Sequence, residues 1–163
     1  MKVLRYLYHI SKGNFIQYYS KKTILTPRFQ YINTQRAFLS ILPDEVLKTY
    51  SVNSAQLHKI VLGEDPVIID VREENEHRES QINGSINIPL SQLKAAFELP
   101  AEDFRKRFGV EKPDKTDDNL ILHCRKGIRS FDGLKILHEL GFTRSRHLDG
   151  GINDWFEYKT KSK

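Results

Sequence analysis

From Tyr50 onward the apolar positions run in two alternating patterns, and these set out the elements. "PVIIDVR" is a continuous β-branched run that ends in charge, which predicts a strand buried on both faces. "NLILHC" is a second such run. Before the first, "YSVNSAQLHKIV" predicts a short extended piece and then an amphipathic helix, capped by Asn53 or Ser54 and stopped by Gly63. Between the two runs, "EENEHRES" predicts a polar helical turn and "INGSINIPL" an Asn-Gly turn followed by a short strand. "LSQLKAAFELPAEDFRKRFGV" reads as two helical pieces broken near Pro100, and "KPDKTDD" as a surface loop. After the second run, "RSFDGLKILHELGF" has apolar residues at Phe131, Leu134, Leu137 and Leu140 and ends at Gly141, a helix with Phe131, Leu134 and Leu137 in the core. "RSRHLDGG" predicts a last strand and turn, and "INDWFEYK" a closing helix anchored by Trp155. Strands alternating with helices predict an α/β fold, with a mainly parallel central sheet flanked by helices.

The first 43 residues follow neither pattern. Of the 26 basic residues, seven (Lys2, Arg5, Lys12, Lys21, Lys22, Arg28 and Arg36) precede Asp44, and no acidic residue does. The remainder holds 19 basic residues against all 21 acidic ones, a net of −2. The sequence pI near 9.3 therefore belongs to the N-terminal segment, and no basic face is expected on the folded body. That excludes a nucleic-acid partner. An acid-free segment rich in Arg, Lys and hydroxyl residues predicts a disordered mitochondrial presequence over residues 1–43, cut between Arg28 and Asp44, and a folded domain over residues 44–163. The expected location is the mitochondrial matrix, with the cytoplasm as the alternative. The segment lacks the apolar core of a secretory signal, and no run approaches the ~20 apolar residues of a membrane span, so membrane insertion is not expected. At 163 residues the expected state is a monomer or a weak dimer.

The chain has one cysteine, Cys124, in "LILHCRKGIRS". A single cysteine excludes an intrachain disulfide and a Cys-rich zinc site. His58, His77, His123, His138 and His147 have no ligand-type spacing, so no metal or organic cofactor is expected. In a parallel sheet, ligands bind beyond the carboxyl ends of the strands, and Cys124 directly follows one. If residues 124–129 curl into the start of the next helix, their backbone N–H groups converge on the sulfur and favour thiolate over thiol. Arg125, Lys126 and Arg129 act in the same direction. The alternative is a buried structural cysteine, since Cys is among the most buried residue types. His123, next to Cys124 on the strand, points to the opposite face and is expected in the core or behind the site.

"CRKGIRS" resembles the active-site loop of the rhodanese-like sulfurtransferases, in which a cysteine opens a six-residue loop with a central glycine. Three further stretches agree in order: "IIDVREENEH", "INGSINIPL" and "GFTRSRHLDGGINDW". The resemblance runs from Ser51 to Lys159 and departs at "SQI" (80–82), where the family often has Gly-His-Ile. It implies the rhodanese-like fold and a sulfur transfer in which Cys124 becomes a persulfide. It further implies that Arg125, Lys126, Gly127, Ile128 and Arg129 bind an anionic donor such as thiosulfate, with Asp70, Arg72 and Ser130 behind them. The acceptor would be a small thiophile such as glutathione or cyanide. A protein acceptor in a sulfur relay, and a non-catalytic binding module, are the alternatives. "HC…G…R" is also similar to the phosphatase loop, but phosphatases place five residues between Cys and Arg and this chain has four, Arg125 to Ile128.

Overall fold

The computed structural model describes residues 48–162, so the expected presequence, residues 1–43, lies outside the described residues. A 3₁₀ turn, Lys48–Tyr50, leads into β1 (Ser51–Val52) and α1 (Ser54–Gly63). Then follow β2 (Val67–Asp70), α2 (Glu74–Glu79), β3 (Ile86–Asn87), α3 (Leu90–Glu98) and α4 (Ala101–Phe108). β4 (Leu120–His123), α5 (Ile128–Glu139), β5 (Arg146–Leu148) and α6 (Gly151–Lys161) complete the chain. The strands form one sheet in the order β1-β5-β4-β2-β3, and every pairing in it is parallel.

The two continuous apolar runs are the two inner strands, which explains their lack of polar alternation. Successive residues of a strand face opposite sides. Ile69 and Leu122 therefore enter one core with Leu93, Ala96 and Phe97 of α3, Phe104 of α4 and Leu137 of α5. Ile68 and Ile121 enter the other, with Val52, Leu148, Leu57 of α1, and Ile152 and Trp155 of α6. Edge-to-face contacts of Phe97 with Phe104 (5.4 Å) and Phe142 (4.9 Å) tie α3 and α4 to the first core. Asn53 is the cap of α1: its side chain accepts from the Gln56 N–H at 2.9 Å, and the Gln56 side chain accepts from the Asn53 N–H at 2.9 Å. Phe131 differs from expectation. It is only partly buried, with its ring against His147 (5.3 Å) and Lys135 Nζ 4.7 Å from its centroid. It lies on the side of α5 that faces the His147 ring, away from the face of Leu134 and Leu137, which are fully buried.

The strand order also locates the functional end. From β2 the chain moves outward to β3, and from β4 it moves the other way to β5. The two connections diverge at the carboxyl ends of β2 and β4, the point where sheets of this kind bind their ligands. Asp70 and His123 are the register partners at that end. Cys124 is the next residue.

Candidate active site

The chain leaves β4 at Cys124 and turns into α5 within three residues. Helix α5 begins at Ile128, so the loop proper is residues 124–127, and Ile128 and Arg129 already belong to the first helical turn. Gly127 is the N-cap, with φ +88°, a conformation that other residues rarely adopt. A Cβ there would also lie 3.1 Å from the Gly150 nitrogen.

The N-terminus of α6 holds the loop from one side. The Cys124 carbonyl accepts from the Ile152 N–H at 2.8 Å and the Arg125 carbonyl accepts from the Asn153 N–H at 3.3 Å. This contact needs Gly151, where a Cβ would sit 2.4 Å from the Cys124 carbonyl oxygen. In a trans peptide the carbonyl and the following N–H point in opposite directions. Drawing the Cys124 and Arg125 carbonyls toward α6 therefore turns the Arg125 and Lys126 N–H groups away from it. Among the described residues, no protein acceptor takes the N–H groups of residues 125–129, and no side chain caps α5. A run of unsatisfied donors at a helix N-terminus is suited to a negatively charged group.

Cys124 itself is 2% exposed and borders the first apolar core. The burial expected of a structural cysteine is therefore present. What sets this cysteine apart is its position in a turn whose amide donors have no partner among the described residues.

The expected substrate residues divide by partner. The Arg129 guanidinium donates to both oxygens of Glu76 on α2, at 2.6 and 2.9 Å, and so fastens the first turn of α5 to α2. Arg125 Nε lies 3.6 Å from the same carboxylate, and the Arg125 side chain remains half-exposed. The Arg129 hydrogen bonds first, then the Glu73 backbone N–H and the charges of Arg129 and Arg72, hold the Glu76 carboxyl down at about 2 against the opposing effect of burial. Lys126 is exposed and has no ion-pair partner among the described residues. Ile128 is 71% exposed, an apolar side chain standing beside these charges.

Asp70 and Arg72 lie behind the loop as a fully buried pair, with Arg72 Nη2 to Asp70 Oδ2 at 2.6 Å and Arg72 Nε to Asp70 Oδ1 at 2.9 Å. Arg72 Nη2 also donates to the Ser80 carbonyl at 2.6 Å. The departure at "SQI" thus falls on a turn that contributes only backbone to this network. His77 Nδ1 is 2.9 Å from Asp70 Oδ2, and His123 Nδ1 is 3.9 Å from Asp70 Oδ1. Burial opposes the Asp70 charge, but the Arg72 hydrogen bonds and the nearby histidines outweigh it and hold the carboxyl below its usual range. Burial pushes His123 down to about 4, despite the attraction of Asp70. Neither ring nitrogen of His123 has a hydrogen-bond partner among the described residues. Ser130, fully buried, donates to the Gly127 carbonyl at 3.0 Å.

Glu76, His77, Asn87 and the 149–153 turn also lie at the site; each falls in a stretch that carries the resemblance, but no local pattern gives it a role there. Asn87 Nδ2 donates to the Asp70 and Arg72 carbonyls at 2.9 and 2.8 Å, closing the end of β2. Glu76 has a faint signal as one of several acids in a polar helix, but nothing local selects it as the partner of a residue 53 positions away. Among the described residues, no group of three or more His, Cys, Asp or Glu side chains could hold a metal ion.

The family model that matches is described as Rhodanese-like domain, over residues 53–158. A thiosulfate:glutathione sulfurtransferase of Saccharomyces cerevisiae is 32% identical over 114 residues, covering 69% of this chain and 80% of that protein. The thiosulfate sulfurtransferase RDL2, mitochondrial, of the same yeast is 29% identical over 121 residues, covering 69% and 80%. The human single-domain sulfurtransferase TSTD1 superposes with a TM-score of 0.64 at 28% identity, covering 66% of this chain and 96% of that one.

Proposed function

Because this chain belongs to the rhodanese-like domain family, we propose that it is a sulfurtransferase that carries sulfane sulfur on Cys124. The Cys124 thiolate attacks the outer sulfur of thiosulfate. The sulfur–sulfur bond of the donor breaks, sulfite leaves with the bonding pair, and Cys124 is left as a persulfide anion. A thiophile then attacks the outer sulfur and releases the Cys124 thiolate. This is two-step covalent catalysis. Glutathione is the leading acceptor, because a relative that matches over most of its length is named for it.

One observation carries the reading. The Cys124 and Arg125 carbonyls are held by α6, so the amide donors after Cys124 are left without an acceptor among the described residues. Such donors suit a persulfide anion, which supports this reading. Lys126 and Arg125 attract the donor dianion, and Arg129 with Glu76 fixes the loop. Asp70, Arg72 and Ser130 support it from behind. The domain occupies residues 44–163, and residues 1–43 direct the chain to the mitochondrial matrix. The acid-free composition of that segment and the name of the yeast relative support this location.

The test is intact mass after incubation with thiosulfate. The protein should gain one sulfur, about 32 Da, and lose it on addition of glutathione or cyanide, as a covalent intermediate requires. Cys124→Ser should gain nothing and keep the wild-type melting curve. A Cys124→Ser protein that still turned over near the wild-type rate would end the proposal.

A further inference from the structure

We propose that His147 is a positioning residue of the sulfur-transfer loop, holding the Gly127 turn through Ser130. The inference rests on the reading of Cys124 as the sulfur carrier. His147 lies on β5 opposite Ser51 of β1 and Leu122 of β4, and is 4% exposed. Its Nε2 is 2.9 Å from Ser51 Oγ and its Nδ1 is 3.4 Å from Ser130 Oγ.

The protons can be assigned from the acceptors. The Gly127 carbonyl can only accept, and Ser130 Oγ stands 3.0 Å from it, so the Ser130 hydroxyl hydrogen is used there. The Ser130 oxygen must then accept from His147, which places the ring hydrogen on Nδ1. Nε2 is left as an acceptor, and the Ser51 hydroxyl donates to it. Burial lowers the His147 pKa, which keeps the neutral one-donor, one-acceptor ring that this chain of bonds needs.

Three hydrogen bonds thus run from the edge strand to the Gly127 carbonyl, which also accepts from the Phe131 N–H at 3.0 Å. Fixing that carbonyl fixes the rest of its peptide plane, and so the Ile128 N–H on the opposite side. That N–H is one of the unsatisfied donors after Cys124. His147 does not touch the reacting sulfur. It acts by setting the direction of a donor.

The experiment compares His147→Asn with His147→Gln in single-turnover persulfide formation from thiosulfate, alongside their melting temperatures. An Asn amide nitrogen can take the place of Nδ1 and still donate to Ser130, whereas a Gln amide reaches the position of Nε2. His147→Asn should stay within about threefold of wild type. His147→Gln and Ser130→Ala should be slower by about tenfold, the worth of one net hydrogen bond, in maximal rate more than in half-saturation. Equal slowing of the Asn and Gln variants, or slowing that follows melting temperature instead of the nitrogen retained, would overturn the proposal. Should the His147 variants not fold, Ser51→Ala at the partly exposed edge decides the matter. It should slow the step by about threefold through a weakened tautomer lock, and an unchanged rate would refute the role. A wild-type protein that forms no persulfide would instead count against the sulfur-transfer reading.

Discussion

His123 should make the protein lose stability on mild acidification, by an amount that can be worked from its surroundings. The ring is fully buried at the end of β4, neither nitrogen has a hydrogen-bond partner among the described residues, and its pKa falls from 6.5 to about 4. Asp70 attracts a proton onto the ring, but the cost of burying the charge is larger and Arg72 adds repulsion. Below pH 6.5 the unfolded chain protonates this histidine and the folded one does not, so stability falls with falling pH until about 4. The contribution is complete above 6.5. Between about pH 7.5 and about pH 5 it amounts to roughly 2 kcal/mol, from 1.36 kcal/mol per unit of difference. His123→Phe removes the titration while keeping an aromatic side chain in a strand, and the two unpaired nitrogens with it. Urea unfolding of both proteins at the two pH values isolates the contribution, because the difference cancels the groups they share, including His138 and His147, which burial shifts in the same direction. Wild type should lose about 2 kcal/mol more than His123→Phe on acidification. Equal losses would mean that the histidine is hydrated or protonated in the fold, and would refute the reasoning.

Arg125→Ala with Lys126→Ala should raise the KM for thiosulfate by about fivefold or more, as the loss of exposed charges worth about 1 kcal/mol predicts, with little change for a neutral organic polysulfide. Lys126→Ala should supply the larger share, because Glu76 already offsets Arg125. An equal effect on both donors would show that these charges do not select the substrate. A fluorescent reporter fused after residue 43 should enter mitochondria, and a diffuse cytosolic signal would reject the transit role of residues 1–43.

The sequence was informative wherever the cause of a structure is local. The runs "VIID" and "LILH" are apolar without alternation because both faces of an inner parallel strand are covered, and they are β2 and β4. Gly127 and the cations around Cys124 announced a turn into a helix, since positive φ and an anion-ready helix start are properties of a short segment. Where neighbours distant in sequence decide, local pattern was not enough. The end of β4 could not show that Glu76 would take Arg129 and leave Lys126 without an ion-pair partner among the described residues. Nor could "RHL" show that His147 would stand opposite Ser51 and reach Ser130, because strand register in a parallel sheet is set by packing and crossover length. The burial of Cys124 is of the same kind. Its residue type and basic neighbours permitted either an inert thiol or a nucleophile. The approach of α6 at Gly151, which draws two carbonyls away and leaves the amide donors without acceptors among the described residues, is what supports the second reading, and no local pattern could show it.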